Sequence, residues 1–300
     1  MYAPIIIFTY NRLDHLKKLL ISLKKNPECK FSKVYFFIDG PKDRKNKIKT
    51  EKIFNYLNKI NYFSSKKIFY RKKNFGSANS IIEGINYVSK KEKKFIVLED
   101  DLIVSDELLF FCNKALTLYN NEKKIWHINC WIFENLNFNQ KIFFSTHMSC
   151  WGWATWSDRW HKLKKIKKKS IYYDVKNNSK KKFDYLNIGS YLSLLLNYKG
   201  KINTWAVYWY YCIFKNNGLT ITPFKTLVIN KGFDIKSTNT KINYFKKSRI
   251  IKKTINNELQ KIEPILDKIL LSKINKIYFN KNYLLIILIK LKEFKESILK

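Results

Sequence analysis

From Pro4 to Thr9 the chain is a continuous apolar run rich in Ile, after which Leu13, Leu16, Leu19, Leu20 and Leu23 recur at helical spacing. A strand followed by an amphipathic helix is predicted. The same alternation repeats twice, and a fourth strand follows. Val34 to Ile38 predicts a second strand, ending in Asp39-Gly40-Pro41, and Ile53, Tyr56, Leu57 and Ile60 mark a second helix. Lys67 to Tyr70 gives a third strand, Ile81, Ile82, Ile85 and Val88 a third helix, and Phe95 to Leu98 a fourth strand. Strands alternating with helices argue for an α/β fold, a mainly parallel sheet wrapped by helices. Ser105, followed by Asp106 and Glu107, has the chemistry of a helix N-cap with acids at the positive end of the dipole.

Beyond residue 104 the pattern loses regularity and gains tryptophan. Six of the eight Trp residues fall between Trp151 and Trp209. Trp156 and Trp160, four apart, are expected on one helix face packed against the sheet. Trp151-Gly152-Trp153 is expected as a substrate-facing loop, since Gly permits close approach and flat indoles suit sugar rings. From about Phe245 the chain is Lys-rich with Ile255, Leu259, Ile262, Ile265, Leu266, Ile269 and Leu270 at helical spacing, which predicts a helical appendage. Its last segment carries Leu284, Leu285, Leu288 and Leu291 between Lys281, Lys290, Lys292 and Lys295. This pattern suits a helix lying on an anionic membrane surface and equally a basic helix docked on its own domain. The run Tyr283 to Ile289 spans about seven residues against the roughly 20 needed to cross a bilayer, so no transmembrane helix is expected.

Composition narrows the class without choosing a function. Three hundred residues, 46% hydrophobic and 16% aromatic, suffice for a large core in one elaborated domain or two joined ones. The formal charge of +36, from 59 Lys plus Arg against 23 Asp plus Glu, creates a field that attracts polyanions, anionic membranes or phosphorylated small molecules. The excess is nearly all Lys and accompanies abundant Asn, Ile, Phe and Tyr, as an AT-biased coding sequence produces, so much of it reads as solvated surface. The runs Lys162 to Lys169 and Lys176 to Lys182 read as loops or helix flanks. Five widely spaced cysteines without a CxxC pair suggest neither a zinc site nor a disulfide framework, and a reducing cytoplasm fits. Ala3 to Phe8 enters a strand with neither a basic region nor an apolar stretch of signal-peptide length, so a cytoplasmic protein is expected, with peripheral contact on the inner face of the membrane as an option. A nucleic-acid-binding module is the main alternative class, but no helix-turn-helix, zinc finger or RNP-like segment is visible.

The chemistry concentrates in Glu99-Asp100-Asp101, three carboxylates at the end of an apolar strand. Like charges crowded at a strand terminus imply a cation or shared protons, and in open α/β sheets ligands gather at that end. A solvated turn is the plainer alternative for the triplet alone.

Phe8-Thr9-Tyr10-Asn11-Arg12, Phe37-Ile38-Asp39-Gly40, Asn74-Phe75-Gly76-Ser77-Ala78-Asn79 and Val97-Leu98-Glu99-Asp100-Asp101-Leu102 together resemble nucleotide-sugar glycosyltransferases of the GT-A fold. The acid triplet is similar to that of the N-acetylglucosaminyltransferase I branch and its bacterial relatives in surface-polysaccharide synthesis. The similarity continues through Trp151-Gly152-Trp153, the Trp205 to Trp209 segment and Asn230-Lys231-Gly232-Phe233-Asp234. It implies a GT-A, Rossmann-like mixed sheet over residues 1–245, with a nucleotide-binding half (1–103), an acceptor half (104–245) and a basic helical extension (246–300). It implies an inverting, metal-dependent hexosyl- or N-acetylhexosaminyltransferase that uses a UDP-sugar and a saccharide or lipid-linked acceptor in bacterial lipopolysaccharide or capsule synthesis.

By the same resemblance, Asp101 holds Mn²⁺ or Mg²⁺, Asp100 and Glu99 face the donor, and Thr9, Tyr10, Asn11, Arg12, Asp39, Gly76 and Asn79 surround the nucleotide, with Asp39 on the base. Trp151, Gly152 and Trp153 would meet the acceptor. A metal fits the chemistry, because the departing diphosphate must be neutralised and these ions take oxygen ligands. An inverting transfer also needs a carboxylate to accept the acceptor's proton. Relatives often carry one beside the tryptophan that matches Trp205, whereas this chain has Ala206, and Thr238-Asn239 stands where Thr-His is common. Asp234 is the first substitute base and Asp158 the second. A degenerate, non-catalytic sugar-binding homologue remains a further alternative.

Overall fold

The structure, a computed structural model, describes residues 2–132, 135–138, 140–165, 168–232, 255, 258–281 and 283–298. The predicted alternation of the first hundred residues is realised. Strand β1 (Ile5–Thr9) leads to helix α1 (Leu13–Lys24), β2 (Lys33–Ile38) to α2 (Arg44–Asn58), β3 (Ser65–Tyr70) to α3 (Ser77–Ser89), and α3 to β4 (Lys94–Glu99). All four strands are parallel in the order β3-β2-β1-β4. Their runs are continuously apolar because both faces of the sheet are covered.

Side chains alternate strictly between the two faces. Ile5 and Ile7, Val34 and Phe36, and Ile96 and Leu98 meet α1 and α2 in one core, while Ile6 and Phe8, Tyr35 and Phe37, and Phe95 and Val97 meet α3 in the other. The change of face follows from connection handedness. The chain moves outward from β1 to β3 and then returns past β1 to β4, and right-handed crossovers in opposite directions put their helices on opposite faces. The reversal opens a crevice between β1 and β4 at their C-terminal ends, the place where such sheets bind ligands. Phe8 pairs with Glu99 there.

The second half extends the same sheet. After a short β5 (Leu102–Val104) and α4 (Leu108–Leu118) come β6 (Ile125–Asn129), β7 (Ile142–Ser145) and β8 (Trp153–Trp156). Then α5 (Ser157–Trp160), α6 (Lys168–Asn178), α7 (Lys180–Asp184), α8 (Ser190–Tyr198) and α9 (Ala206–Lys215) precede β9 (Leu219–Pro223) and β10 (Val228–Asn230). The eight-stranded order is β3-β2-β1-β4-β8-β6-β9-β7, and β10 pairs with β5 in a separate ribbon. Strand β8 is antiparallel to both β4 and β6, so the halves divided at residue 103 share one mixed sheet.

Three expectations are corrected here. Trp156 and Trp160 do not share a helix face: Trp156 ends β8 and packs with the α1 and α2 core, whereas Trp160, in α5, packs with the α3 core. Ser105 is not the N-cap of α4. The cap position is Glu107, and Asn26 from the distant 27–31 turn region serves instead, its Oδ1 accepting from Leu109 N at 2.9 Å and its Nδ2 donating to Ser105 O at 2.9 Å. A buried helix end takes whichever partner tertiary packing supplies. The helical reading also fails for residues 258 to 266: residues 258–267 are irregular, with Ile255 and Leu259 buried in the α4 core and Tyr119 Oη exchanging hydrogen bonds with Ile262 N and O. Their apolar spacing serves a strap over α4, so the extension is not separate from the core. Among the described residues of the extension the first helix is α10 (Lys268–Lys281), where Asp267 Oδ1 accepts from Leu270 N at 2.9 Å, and α11 (Tyr283–Ile298) follows.

Candidate active site

A cavity of about 400 Å³ lies over the C-terminal ends of β1, β2 and β4, where the topology predicts it. Thr9, Tyr10, Asn11, Arg12, Asp39, Gly76 and Glu99 to Asp101 all line it, so segments far apart in sequence meet there. The chain-reversal loops supply the geometry, because each follows a buried strand that holds its start in place.

The acid triplet divides into unlike groups. Asp100 is 3% exposed, and its carboxylate accepts from Thr9 Oγ1 at 2.9 Å, Tyr10 N at 3.3 Å and Arg12 Nη2 at 2.8 Å. It latches the loop after β1 onto the end of β4. Asp101 shares the same Arg12 Nη2, which reaches its Oδ2 at 2.9 Å, and its backbone oxygen accepts from Lys231 N at 2.8 Å. Gly232 lies against this carboxylate so closely that a Cβ there would sit 2.2 Å from Asp101 Oδ2. Among the described residues Glu99 has no hydrogen-bond or ion-pair partner. Burial, then the charges of Asp101 and Asp100, push its carboxyl up to about 8, with Arg12 only partly opposing them. Burial and Asp100 raise Asp101 as well, against Arg12.

Three carboxyl groups meet one guanidinium, so the site accommodates the third acid either by protonating it or by taking a further cation. The donor set is hard oxygen, with Glu99 lacking a cation, and it fits a divalent ion. Among the described residues no three acid, histidine or cysteine side chains converge on one metal position. An ion at Asp101 would therefore complete its coordination from ligand oxygens and water.

Asp39 is differently used than the resemblance implies. Its Oδ1 accepts from Gly40 N and Phe75 N, both at 2.9 Å, and its Oδ2 from Gly76 N at 3.0 Å and Asn74 Nδ2 at 3.1 Å. With four donors on two oxygens, it organises the loop that opens α3. Asp39→Asn turns one acceptor oxygen into a donor facing donors, and unfolding titrations are expected to show a loss of about 2 kcal/mol. Asn11 is tied to Asn46, and Tyr10 Oη accepts from Lys42 N at 3.3 Å. Asn79 is exposed, donates to Phe75 O and stands outside the cavity lining.

The acceptor assignment is partly overturned. Trp151 lines the cavity, but Trp153 is fully buried, stacked on His127 at 5.1 Å and Trp205 at 5.4 Å. Trp153 is core because the first residue of β8 points into the α3 face. Gly152 answers a backbone need: its φ is +64°, and a Cβ would lie 2.9 Å from Val228. Asp158 is also misplaced, since Trp156 pairs with Lys94 at the opposite end of β4 from Glu99. Burial alone would raise its carboxyl, but ion pairs with Arg159 at 2.7 Å and Lys123 at 3.1 Å hold it below the usual range, on a half-exposed surface. It is not the base of this site. Asp234 and Thr238-Asn239 lie outside the described residues.

Sequence reasoning missed Lys42, Cys150, Asn203 and Thr204, which line the cavity and which no motif marks; Asn74 and Asn230, in segments that carry the resemblance, line it as well but were given no role. The nearest signal was Trp205, whose neighbour Ala206 does reach the wall at the first residue of α9. The first turn of α3 adds Ser77 and Ala78 and brings the positive end of that helix to the cavity.

Residues 5–125 match the family model described as Glycosyl transferase family 2. No curated protein matches the sequence. Among solved structures, TarS of S. aureus is 14% identical with a TM-score of 0.38, over 54% of this chain and 30% of TarS, so this chain spans under a third of that protein. A fragment of TarS solved in complex with UDP is 20% identical with a TM-score of 0.31, over 43% of this chain and 34% of that one. The galactosyltransferase LgtC, solved with donor and acceptor sugar analogs, is 10% identical with a TM-score of 0.38, over 72% of each chain. The doubly wound mixed sheet, with the acid triplet at its switch point, has the GT-A architecture, and its first part, from β1 to α4, is similar to Glycosyl transferase family 2.

Proposed function

We propose that this enzyme transfers a hexose or N-acetylhexosamine, with inversion, from a UDP-sugar to a saccharide or lipid-linked acceptor of bacterial surface polysaccharide, using Mn²⁺ or Mg²⁺ held by Asp101. The observation that carries the reading is the charge arrangement of the cavity: Glu99 and Asp101 on one side, the α3 N-terminus and Lys42 elsewhere on the wall. A metal bound at Asp101 would neutralise the departing diphosphate as a Lewis acid. Arg12 holds Asp100 and Asp101 in place, and Asp39 holds the loop that presents the first turn of α3. Trp151, on the cavity wall, is the indole available to a sugar ring. An acid-lined cavity opposes a nucleic-acid backbone, so no nucleic-acid partner is proposed.

For the proton acceptor, Asp234 is proposed, since it follows the cavity residue Gly232 by two positions in the sequence. Asp234→Asn with undiminished turnover would exclude it. A second reading, a sugar-binding homologue without turnover, is favoured by Ala206 on the cavity wall where related enzymes often carry an acid. Release of UDP from candidate UDP-sugars with Mn²⁺ separates the two.

Thermal unfolding tests the donor and metal together. UDP with Mn²⁺ is expected to raise Tm, by about 2.7 kcal/mol of stability when ligand is roughly a hundredfold above Kd, and UDP alone to raise it less. Asp101→Asn should lose the Mn²⁺-dependent part. Equal shifts in that variant would overturn the metal assignment, and no shift with any nucleotide would overturn the donor.

A further inference from the structure

Helix α11 is turned inside out relative to an ordinary surface helix. It packs on α8 with Ile286, which is 7% exposed, with Ile289 against Gly189, and with Glu293, whose buried carboxylate takes Lys180 at 3.1 Å. The face turned away from the protein carries Tyr283, Leu284, Ile287, Leu288, Leu291 and Phe294, which fall on one side of a helix of about 3.6 residues per turn. Leu284 is 76% and Leu291 60% exposed, although a surface helix normally hides its apolar stripe. A contiguous apolar face of this kind marks a contact surface.

From this face we infer that α11 docks the enzyme on an anionic lipid bilayer. Lys290, Lys292 and Lys295 flank the stripe and are exposed, and among the described side chains of α11 the only carboxylate, Glu293, points inward. Charge decides the occupant. A second copy would bring these lysines against their own kind in a chain of net charge +36, whereas anionic headgroups neutralise them while acyl chains receive the leucines. No helix among the described residues is long and apolar enough to cross a membrane, so α11 lies on the bilayer. The chain leaving α8 builds the cavity wall at Asn203 to Ala206, which links the docked helix to the site. The docking does not depend on the transferase reading.

Sedimentation of the full chain with vesicles tests it. Binding is expected to vesicles of phosphatidylcholine with phosphatidylglycerol, weakening with salt, and to be much poorer with phosphatidylcholine alone. The triple variant Leu284→Gln, Leu288→Gln, Leu291→Gln should bind at least roughly tenfold more weakly while keeping its melting temperature, because these side chains are exposed. Lys292→Ala with Lys295→Ala should lower binding to the anionic vesicles by about fivefold per lysine and leave the neutral ones unchanged. Wild-type protein that ignores anionic vesicles, or a triple variant that binds as before, overturns the inference. A lipid-independent dimer that the triple variant splits also overturns it, making the face a self-association surface.

Discussion

Arg12→Ala is expected to lower stability by about 3–5 kcal/mol, the cost of stripping one partner from a buried ion pair. A single guanidinium nitrogen bridges Asp100 at 2.8 Å and Asp101 at 2.9 Å, and these side chains are only 4% and 14% exposed. Without it, two adjacent carboxylates face each other with Glu99 beside them. The deficit should shrink as pH falls into the carboxylate range, because protonation removes the charge that Arg12 balances. Arg12→Lys restores charge but places it on a shorter, rotatable ammonium in place of the fixed guanidinium nitrogen that bridges both acids, so partial recovery is expected. Urea titrations at neutral and acid pH measure all three proteins. A loss under about 1 kcal/mol for Arg12→Ala would show that the acids are solvated and the latch is not structural.

The second large effect belongs to Glu99. Its carboxyl is raised from 4.5 to about 8 in the folded chain, so between those values the native state binds more protons than the unfolded one. Stability must then fall as pH rises through that window. Its contribution is fully present below about pH 4.5 and lost above about pH 8. Glu99→Gln, which cannot ionise, should match the wild type at the acid end and exceed it at the alkaline end by about 3 kcal/mol, allowing for the partial exposure of the group to the cavity. Chemical denaturation of the metal-free protein across this range reads the difference. Parallel stability curves for the two proteins would mean that Glu99 is not held against its own charge. Added Mn²⁺ should flatten the wild-type slope, since a cation replaces the proton.

Both effects trace to residues that stood out in the sequence, but their division of labour did not. Thr9, Arg12, Asp39 and the triplet announced themselves as strand-end polar residues, and each lines the cavity. Which of them face a ligand depends on partners supplied from elsewhere. Asp100 is consumed by Thr9, Tyr10 and Arg12, and Asp39 by the 74–76 loop, whereas Glu99 is left without a partner among the described residues. A hydrogen-bond inventory is a property of the assembled site, so residue type alone could not sort them. The tryptophans teach the same lesson. Trp151 and Trp153 are two apart and would share one face of a continuous strand, but β8 begins only at Trp153 and Gly152, at φ +64°, turns the chain between them. Only the insertion of β8 between β4 and β6 makes Trp153 core and leaves Trp151 at the cavity.

By itself the sequence determined the βα alternation, the parallel half of the sheet and the strand end at which the acids collect, because periodicity and turn chemistry are local and each strand carries its own apolar pattern. Tertiary structure decided the order of the later strands, the strap of residues 258–267 over α4, the removal of Asp158 to the far edge and the outward turn of the α11 leucines. These depend on which surfaces meet, and contacts between residues distant in the chain leave no periodic mark. The acid triplet belongs to both: its place was written locally, and its charge imbalance was set by the single arginine that the fold brings to it.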